Sequence, residues 1–438
     1  MTHGSRHISV PALARVEGEG GLEIIVSDGQ VTETRLDIYE PPRFFEALLR
    51  GRQYTEPPDI TARICGICPV AYQMSACQAI EDACGAQVTG EIRALRRLIY
   101  CGEWIESHAL HVYLLHAPDF LGYDSGIHLA RDHPAIVARG LSIKKAGNRL
   151  MEVVGGRSVH PVNVKVGGFY RAPTANELKQ LVPQLEQARQ DAEDTVTWVA
   201  GFDFPAFDRD YEFVSLRHPD QYPITEGSIA STSGLDITPA EYDKHFEEFQ
   251  VPHSTALHSV LDGRTYLTGP MARYALNSRR LPASVRSVAH QAGLTATCTN
   301  PFKSIVVRAV ELLFACDEAL RLIGQYRPPD PPAIDVRPIT ATGYGCTEAP
   351  RGMLYHRYAI TDDGTITDAK IVPPTSQNQR AIEADLRDFA APRLAMDHET
   401  LTRECEQAVR NHDPCISCAA HFLDLRLADK TDKAVRLT

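Results

Sequence analysis

Four long stretches of the chain place apolar residues at three- and four-residue intervals: EIRALRRLIYCGEWIESHALHVYLLH, AIVARGLSIKKAGNRLMEVVGG, ANELKQLVPQLEQARQDAEDTVTWVAGF and KSIVVRAVELLFACDEALRLIGQY. Such intervals fall on one face of an α-helix, so each stretch is expected to be a long helix burying a stripe. Two other stretches, LEIIVSDGQVTETRLDI and HRYAITDDGTITDAKIV, read as strand pairs. Their turns fall at Asp28-Gly29 and Asp363-Gly364, a dipeptide that tolerates positive φ in a tight hairpin. Between helices and second hairpin lies YRPPDPPAIDVRP, residues 326–338. Proline lacks the amide hydrogen and clashes with the preceding turn, so this segment must be an extended, fairly stiff connector. No repeat of 20 to 50 residues interrupts the pattern. The expected fold is a single α+β domain over 1–438, mainly α, with a long-helix bundle core and small antiparallel hairpins at its periphery. Within it, 1–60 forms an N-terminal hairpin region, 61–325 the helical body, 326–375 the connector and second hairpin, and 376–421 a C-terminal helical region.

Composition narrows the function. The chain has 438 residues, 43% of them hydrophobic, enough for a large core. Lys plus Arg is 45 against 56 Asp plus Glu, a net charge of -11 that argues against nucleic acid as the main ligand. The opening MTHGSRHISV has no apolar signal core, and no apolar run approaches the length of a membrane span, so a cytoplasmic location is expected. Eleven cysteines, an odd count, favour reduced thiols over a disulfide framework.

Those thiols hold the candidate chemistry. RICGIC at 63–68 and DPCISC at 413–418 each carry Cys-x-x-Cys, together offering four soft donors suited to zinc, an iron-sulfur cluster or a thiolate-bound redox metal such as nickel. Spacing alone does not choose among these. Structural zinc usually closes a short local segment lacking its own core, whereas these pairs lie near opposite ends of a chain rich in apolar sequence. A thioredoxin-like dithiol would need one pair beside a βαβ pattern, which is not evident.

At this point the residues carry a resemblance. RICGIC followed by PVAYQMSA, and DPCISCAAH, resemble the two nickel-binding signatures of the large subunit of nickel-iron hydrogenases. ARVEGEG, PRFFEALLRGR, ESHALHVYLLHAPDF, GGRSVHP, TGPMARYALN, EAPRG and PPTSQN resemble further family segments in the family's order, so the resemblance covers essentially the whole chain.

The resemblance implies the large-subunit fold and a role for each matched residue. Cys65 and Cys415 would bind nickel terminally; Cys68 and Cys418 would bridge it to an iron that carries carbon monoxide and cyanide. Cys415 is the expected base when dihydrogen splits heterolytically, and Glu17 the carboxylate that relays its proton. Arg351 would overhang the open metal position, oriented by Asp119 and Asp413, and Thr375 would hydrogen-bond a cyanide. Glu46 and His421 match two ligands of a magnesium, sometimes iron, site. One departure stands out: Tyr72 occupies the position where the first signature commonly has histidine. A phenol with pKa near 10 donates a hydrogen bond but rarely titrates.

Dihydrogen oxidation releases electrons, yet the remaining seven cysteines show no cluster-binding spacing and are read as buried inert thiols. No dinucleotide fingerprint is evident either. The resemblance supplies an obligate iron-sulfur small subunit, and the wording of the signatures is most similar to the cytoplasmic NAD(P)-linked branch. There a flavin-containing diaphorase completes the complex, and some members also reduce elemental sulfur or polysulfide. Residues 422–438 are expected to be a maturation peptide removed by a protease once nickel-insertion proteins have loaded the site. Two alternatives remain: a non-catalytic relative serving as a scaffold around a quinone pocket, and a zinc-bound structural protein.

Overall fold

In this computed structural model the described residues are 6–420, together with the backbone of two short strands at 426–428 and 434–436. The N-terminal segment is a three-stranded antiparallel sheet of β1 (Arg6–Val10), β2 (Gly20–Ser27) and β3 (Gln30–Ile38). Asp28 and Gly29 both take positive φ at the β2–β3 turn, as the dipeptide requires. A short helix α1 (Phe45–Leu49) follows. The first cysteine motif then leads into α2 (Pro69–Ala83), and α3 (Gly90–Leu110) runs on through a π-helical turn at His111–His116. Helices α4 (Pro134–Gly155) and α5 (Val182–Ala200) complete the first half of the body.

Next come the hairpin β4 (Phe246–Phe249) and β5 (His258–Leu261), then α6 (Pro270–Asn277) and α7 (Ser304–Gln325). Another three-stranded antiparallel sheet follows, with β6 (Ala341–Ala349), β7 (Gly352–Ile360) and β8 (Ile366–Val372) in order. Then come α8 (Pro374–Ala390), α9 (His398–Arg410) and the single turn α10 (Ile416–Ala419).

The four expected helical stretches are helices, with one correction. The stretch starting at Ala175 is two helices, Ala175–Lys179 and Val182–Ala200. Pro183 has no N–H to continue the first ladder, but that deficit is harmless in the first turn of the second. Helix α3 packs against both α4 and α7, and α7 also packs on α5. Trp104, Ile105, Leu312 and Leu313 are among their fully buried side chains. Residues 327–332 are irregular, as the prolines require. Strands β1, β4, β5 and β6 were not anticipated, being short or lacking apolar-polar alternation. Among the described residues no helix is long and apolar enough to cross a membrane.

The two ends of the chain meet. Ile8, Leu22, Ile24 and Leu36 of the N-terminal sheet share one apolar cluster with Ile382, Leu386, Leu401 and Ile416. Glu17 and Cys415 form a parallel β-bridge, and Ile416 N–H donates to the Glu17 carbonyl at 2.9 Å.

Candidate metal centre

Cys65 ends a 3-10 turn in extended conformation, and Cys68 sits just before α2, with Pro69 at the start of the helix. The first amides of α2 are met by Glu103 from α3, which accepts from Val70 N at 2.6 Å and Ala71 N at 3.1 Å. A buried carboxylate there complements the positive end of the helix. At the other motif, Asp413 takes a positive φ of 51°, Cys415 is extended and α10 carries Cys418 back alongside it.

These backbones bring the four sulfurs together. Cys65 Sγ lies 3.5 Å from Cys415 Sγ, Cys68 Sγ 3.4 Å from Cys418 Sγ, and Cys415 Sγ 2.7 Å from Cys418 Sγ. All four lie within 4.8 Å of one another and are buried. Hydrogen bonding with the Cys415, Cys418 and Cys68 sulfurs holds Cys65 well below the ordinary thiol range, whereas burial pushes Cys415 well up and Cys418 to about 11. Four buried thiolates repel one another, so the quartet sheds its protons only around a cation. The donor set therefore fits a thiophilic metal.

Arg351 occupies the two-residue turn between β6 and β7 and is buried, close enough to Cys65, Cys68 and Cys415 for their charges to favour its ionised form. Its Nε donates to the Asp413 carbonyl at 3.0 Å and its Nη2 to Asp413 Oδ1 at 3.2 Å. Asp413 also pairs with Arg308 at 3.5 Å. Asp119 does not do what the sequence reading expected. Its carboxylate is held by Arg410, with two bonds of 2.8 Å, and by Arg15 at 2.5 Å. Four arginines, Arg15, Arg308, Arg351 and Arg410, meet these two carboxylates, and sequence does not reveal which one a given carboxylate meets.

Glu17 Oε2 accepts from Cys415 Sγ at 3.0 Å and from Ser417 N at 3.1 Å, and burial with the nearby Cys65 raises its pKa. The Ser417 hydroxyl donates onward to Glu40 Oε2 at 2.8 Å. Between Glu17 and Glu19, Gly18 is obligatory: at φ +91° a Cβ would lie 2.6 Å from Glu40 Oε2 and 2.8 Å from Ser417 N. Thr375 Oγ1 accepts from Cys415 N at 2.9 Å, leaving its own hydroxyl hydrogen to donate elsewhere.

Tyr72 is buried, with His356 5.8 Å from its ring, and burial beside Cys418 and Cys68 keeps the phenol protonated. Glu46 projects from α1, accepts from Ile371 N at 2.6 Å and is pushed up to about 8 by burial and by Glu248. Its expected partner His421 lies outside the described residues. The other seven cysteines are free; six are buried and Cys84 is half-buried, as expected of inert thiols.

Sequence reasoning missed several groups that position the site. Arg43 donates to Ile64 O at 2.8 Å and also to Ser417 O, joining the two motifs. Arg273, fully buried over the Trp104 ring at 4.5 Å, binds Glu311 twice, Glu348, Ala349 O and Pro350 O, and so fixes the turn bearing Arg351. Both arginines lie in segments that matched the family, but only the folded chain reveals their partners.

Comparison with known proteins bears on the chemistry. The family model described as nickel-dependent hydrogenase matches residues 43–142 and 262–421. Sulfhydrogenase 1 subunit alpha of Pyrococcus furiosus is 33% identical over 430 residues, covering 95% of this chain and 98% of its own. Sulfhydrogenase 2 subunit alpha of the same organism is 32% identical, over 95% of this chain and 100% of its own. Among solved structures, an NAD+-reducing [NiFe]-hydrogenase in the H2-reduced state superposes with a TM-score of 0.85 at 28% identity, over 95% of this chain and 99% of the other.

Proposed function

The chain belongs to the nickel-dependent hydrogenase family, as its catalytic large subunit, and from that premise we propose how its residues divide the work. Cys65, Cys68, Cys415 and Cys418 hold a nickel-iron centre, whose iron carries carbon monoxide and cyanide. When bound, that centre would supply the heterolytic splitting of dihydrogen, in either direction, with two protons and two electrons as the net products.

Cys415 Sγ holds the first proton, because Glu17 Oε2 stands 3.0 Å away to receive it. Its raised pKa brings Glu17 nearer to that of a group able to pass a proton on. Ser417, bonded to Glu17 through its amide and to Glu40 through its hydroxyl, marks the outward direction. Arg351 keeps a fixed positive charge near the sulfurs, held by Asp413, and the Thr375 hydroxyl would be able to donate to a cyanide of the centre. Asp119 acts one step away, by fixing Arg410 and Arg15. Glu46 and His421 bind magnesium or iron near the C-terminal segment.

The electrons leave through an iron-sulfur small subunit. The sulfhydrogenase relatives and the NAD+-reducing structural neighbour support a cytoplasmic complex with a flavin diaphorase and NAD or NADP as acceptor, and elemental sulfur or polysulfide as a second acceptor. Residues 422–438 are a maturation peptide, so the active enzyme would lack their mass.

One observation carries the reading: two motifs from opposite ends of the chain place four buried sulfurs within 4.8 Å of one another, close to a buried arginine. The purified complex should reduce a viologen dye with dihydrogen and show infrared bands of metal-bound carbon monoxide and cyanide, both lost in Cys415→Ser. Zinc as the sole metal, with neither bands nor activity, would overturn it.

A further inference from the structure

A second group of metal-binding side chains lies away from the cysteines. His253, in the connection between β4 and β5, His258, the first residue of β5, and Glu383 of α8 bring their ligand atoms within 4.8 Å of one another. His253 Nε2 is 2.8 Å from Glu383 Oε1, and His258 Nε2 is 3.8 Å from the same oxygen. The side chains of His253 and Glu383 keep 18% and 15% of their surface open, whereas His258 keeps 3%.

An ordinary hydrogen bond to Glu383 explains His253 but not His258. The His258 Nε2 is buried, faces the carboxylate and has no hydrogen-bond partner. Leaving such an atom unpaired costs free energy, and native proteins rarely tolerate it without a ligand. The surroundings hold the three groups in place. Leu36 N–H donates to Glu383 Oε1 at 3.0 Å, and Thr34 Oγ1 to the Glu383 carbonyl at 2.7 Å. Gln379, a hydrogen-bond partner of the His258 ring, is itself fixed by Ser254 Oγ at 2.9 Å and Leu257 O at 2.7 Å. Orienting contacts of this kind are what metal-binding imidazoles and carboxylates require. Burial, His253 and Arg380 push His258 down to about 4, so it is neutral and able to coordinate near pH 7. Arg380 opposes a cation, but its guanidinium is drawn toward the Phe249 ring at 5.8 Å, and Glu33 lies close enough to His253 to offset it.

We propose that His253, His258 and Glu383 bind one divalent transition-metal ion, with zinc the ion best suited to two imidazoles and a carboxylate, and water completing the coordination. The ion ties the β4–β5 hairpin to α8, which β3 already holds through Thr34 and Leu36 and whose first turn places Thr375 against Cys415 N. It is a clip on the outside of the fold and takes no part in dihydrogen chemistry.

The holo complex, purified without chelator or polyhistidine tag, is dialysed against Zn2+ alone and analysed for zinc and nickel. Wild type should take up one equivalent of zinc that His253→Gln and Glu383→Gln each bind roughly 100-fold more weakly. Nickel content and hydrogenase activity should be unchanged in both. Zinc should raise the melting temperature of wild type but not of His253→Gln, which tests the site in a variant whose altered side chain is partly exposed. X-ray absorption at the zinc edge should show nitrogen and oxygen neighbours at about 2.0–2.1 Å and no sulfur. Absence of saturable zinc, equal uptake by both variants, or a sulfur shell at about 2.3 Å would each overturn the assignment.

Discussion

Replacing Arg273 with methionine tests the connection between the buried charge network and the catalytic arginine. Arg273 is fully buried and donates to Glu311 at 2.8 and 2.7 Å and to Glu348 at 3.0 Å. It also donates to the carbonyls of Ala349 and Pro350 at 2.8 and 2.9 Å, just before Arg351. Despite complete burial, Arg273 holds Glu311 down to about 2, from an ordinary 4.5. A shift of that size corresponds to about 3 kcal/mol of favourable interaction. This agrees with the roughly 3–5 kcal/mol lost when one member of a buried ion pair is removed and its partner stays behind. The complex carrying Arg273→Met should therefore melt roughly 5 °C lower. Glu311→Leu added to Arg273→Met should recover much of the loss, because the stranded carboxylate goes with it. Activity should fall even where the fold survives, since the turn bearing Arg351 loses both carbonyl anchors. Arg273→Lys should keep part of the stability but not the activity, because an ammonium cannot span both carboxylates and both carbonyls. A variant within about 1 kcal/mol of wild type, with full dihydrogen turnover, would refute this reasoning.

Glu348 sets a pH dependence. Burial pushes its pKa up to about 7 even beside Arg273, so between its ordinary value of 4.5 and that pH it is protonated in the folded chain but ionised in the unfolded one. Its contribution thus falls by about 3 kcal/mol as pH rises from roughly 4.5 to 7, and denaturation midpoints of Glu348→Gln should lack that decline. Gly18→Ala should fold but fail to retain nickel, because the added methyl, at a strained φ, collides with Glu40, Ile416 and Ser417; metal analysis checks this. Arg43→Ala removes the link from Ile64 O to Ser417 O and should lower nickel occupancy while leaving helix content by circular dichroism unchanged.

Features written within a few residues were legible in the sequence. Asp-Gly turns announced two hairpins, the apolar stripes announced α3, α4 and α7, and each Cys-x-x-Cys announced half of a metal site. Features that depend on distant partners were not. Glu103 caps α2 from another helix, Arg273 gathers Glu311 and Glu348, and the partners of Asp119 are Arg15 and Arg410, 104 and 291 positions away. The His253–His258–Glu383 group was missed for the same reason: its carboxylate comes from a different element than its histidines. Pro183 was visible, but the stripe around it concealed that it begins a helix.

The central claim is that sulfurs from the two ends of the chain surround one metal. X-ray absorption at the nickel edge of the active complex tests it most directly. A nickel shell of about four sulfurs is predicted, with one fewer in any nickel-retaining Cys65→Ser variant. A shell made mainly of nitrogen and oxygen, or one unaltered by that substitution, would contradict it.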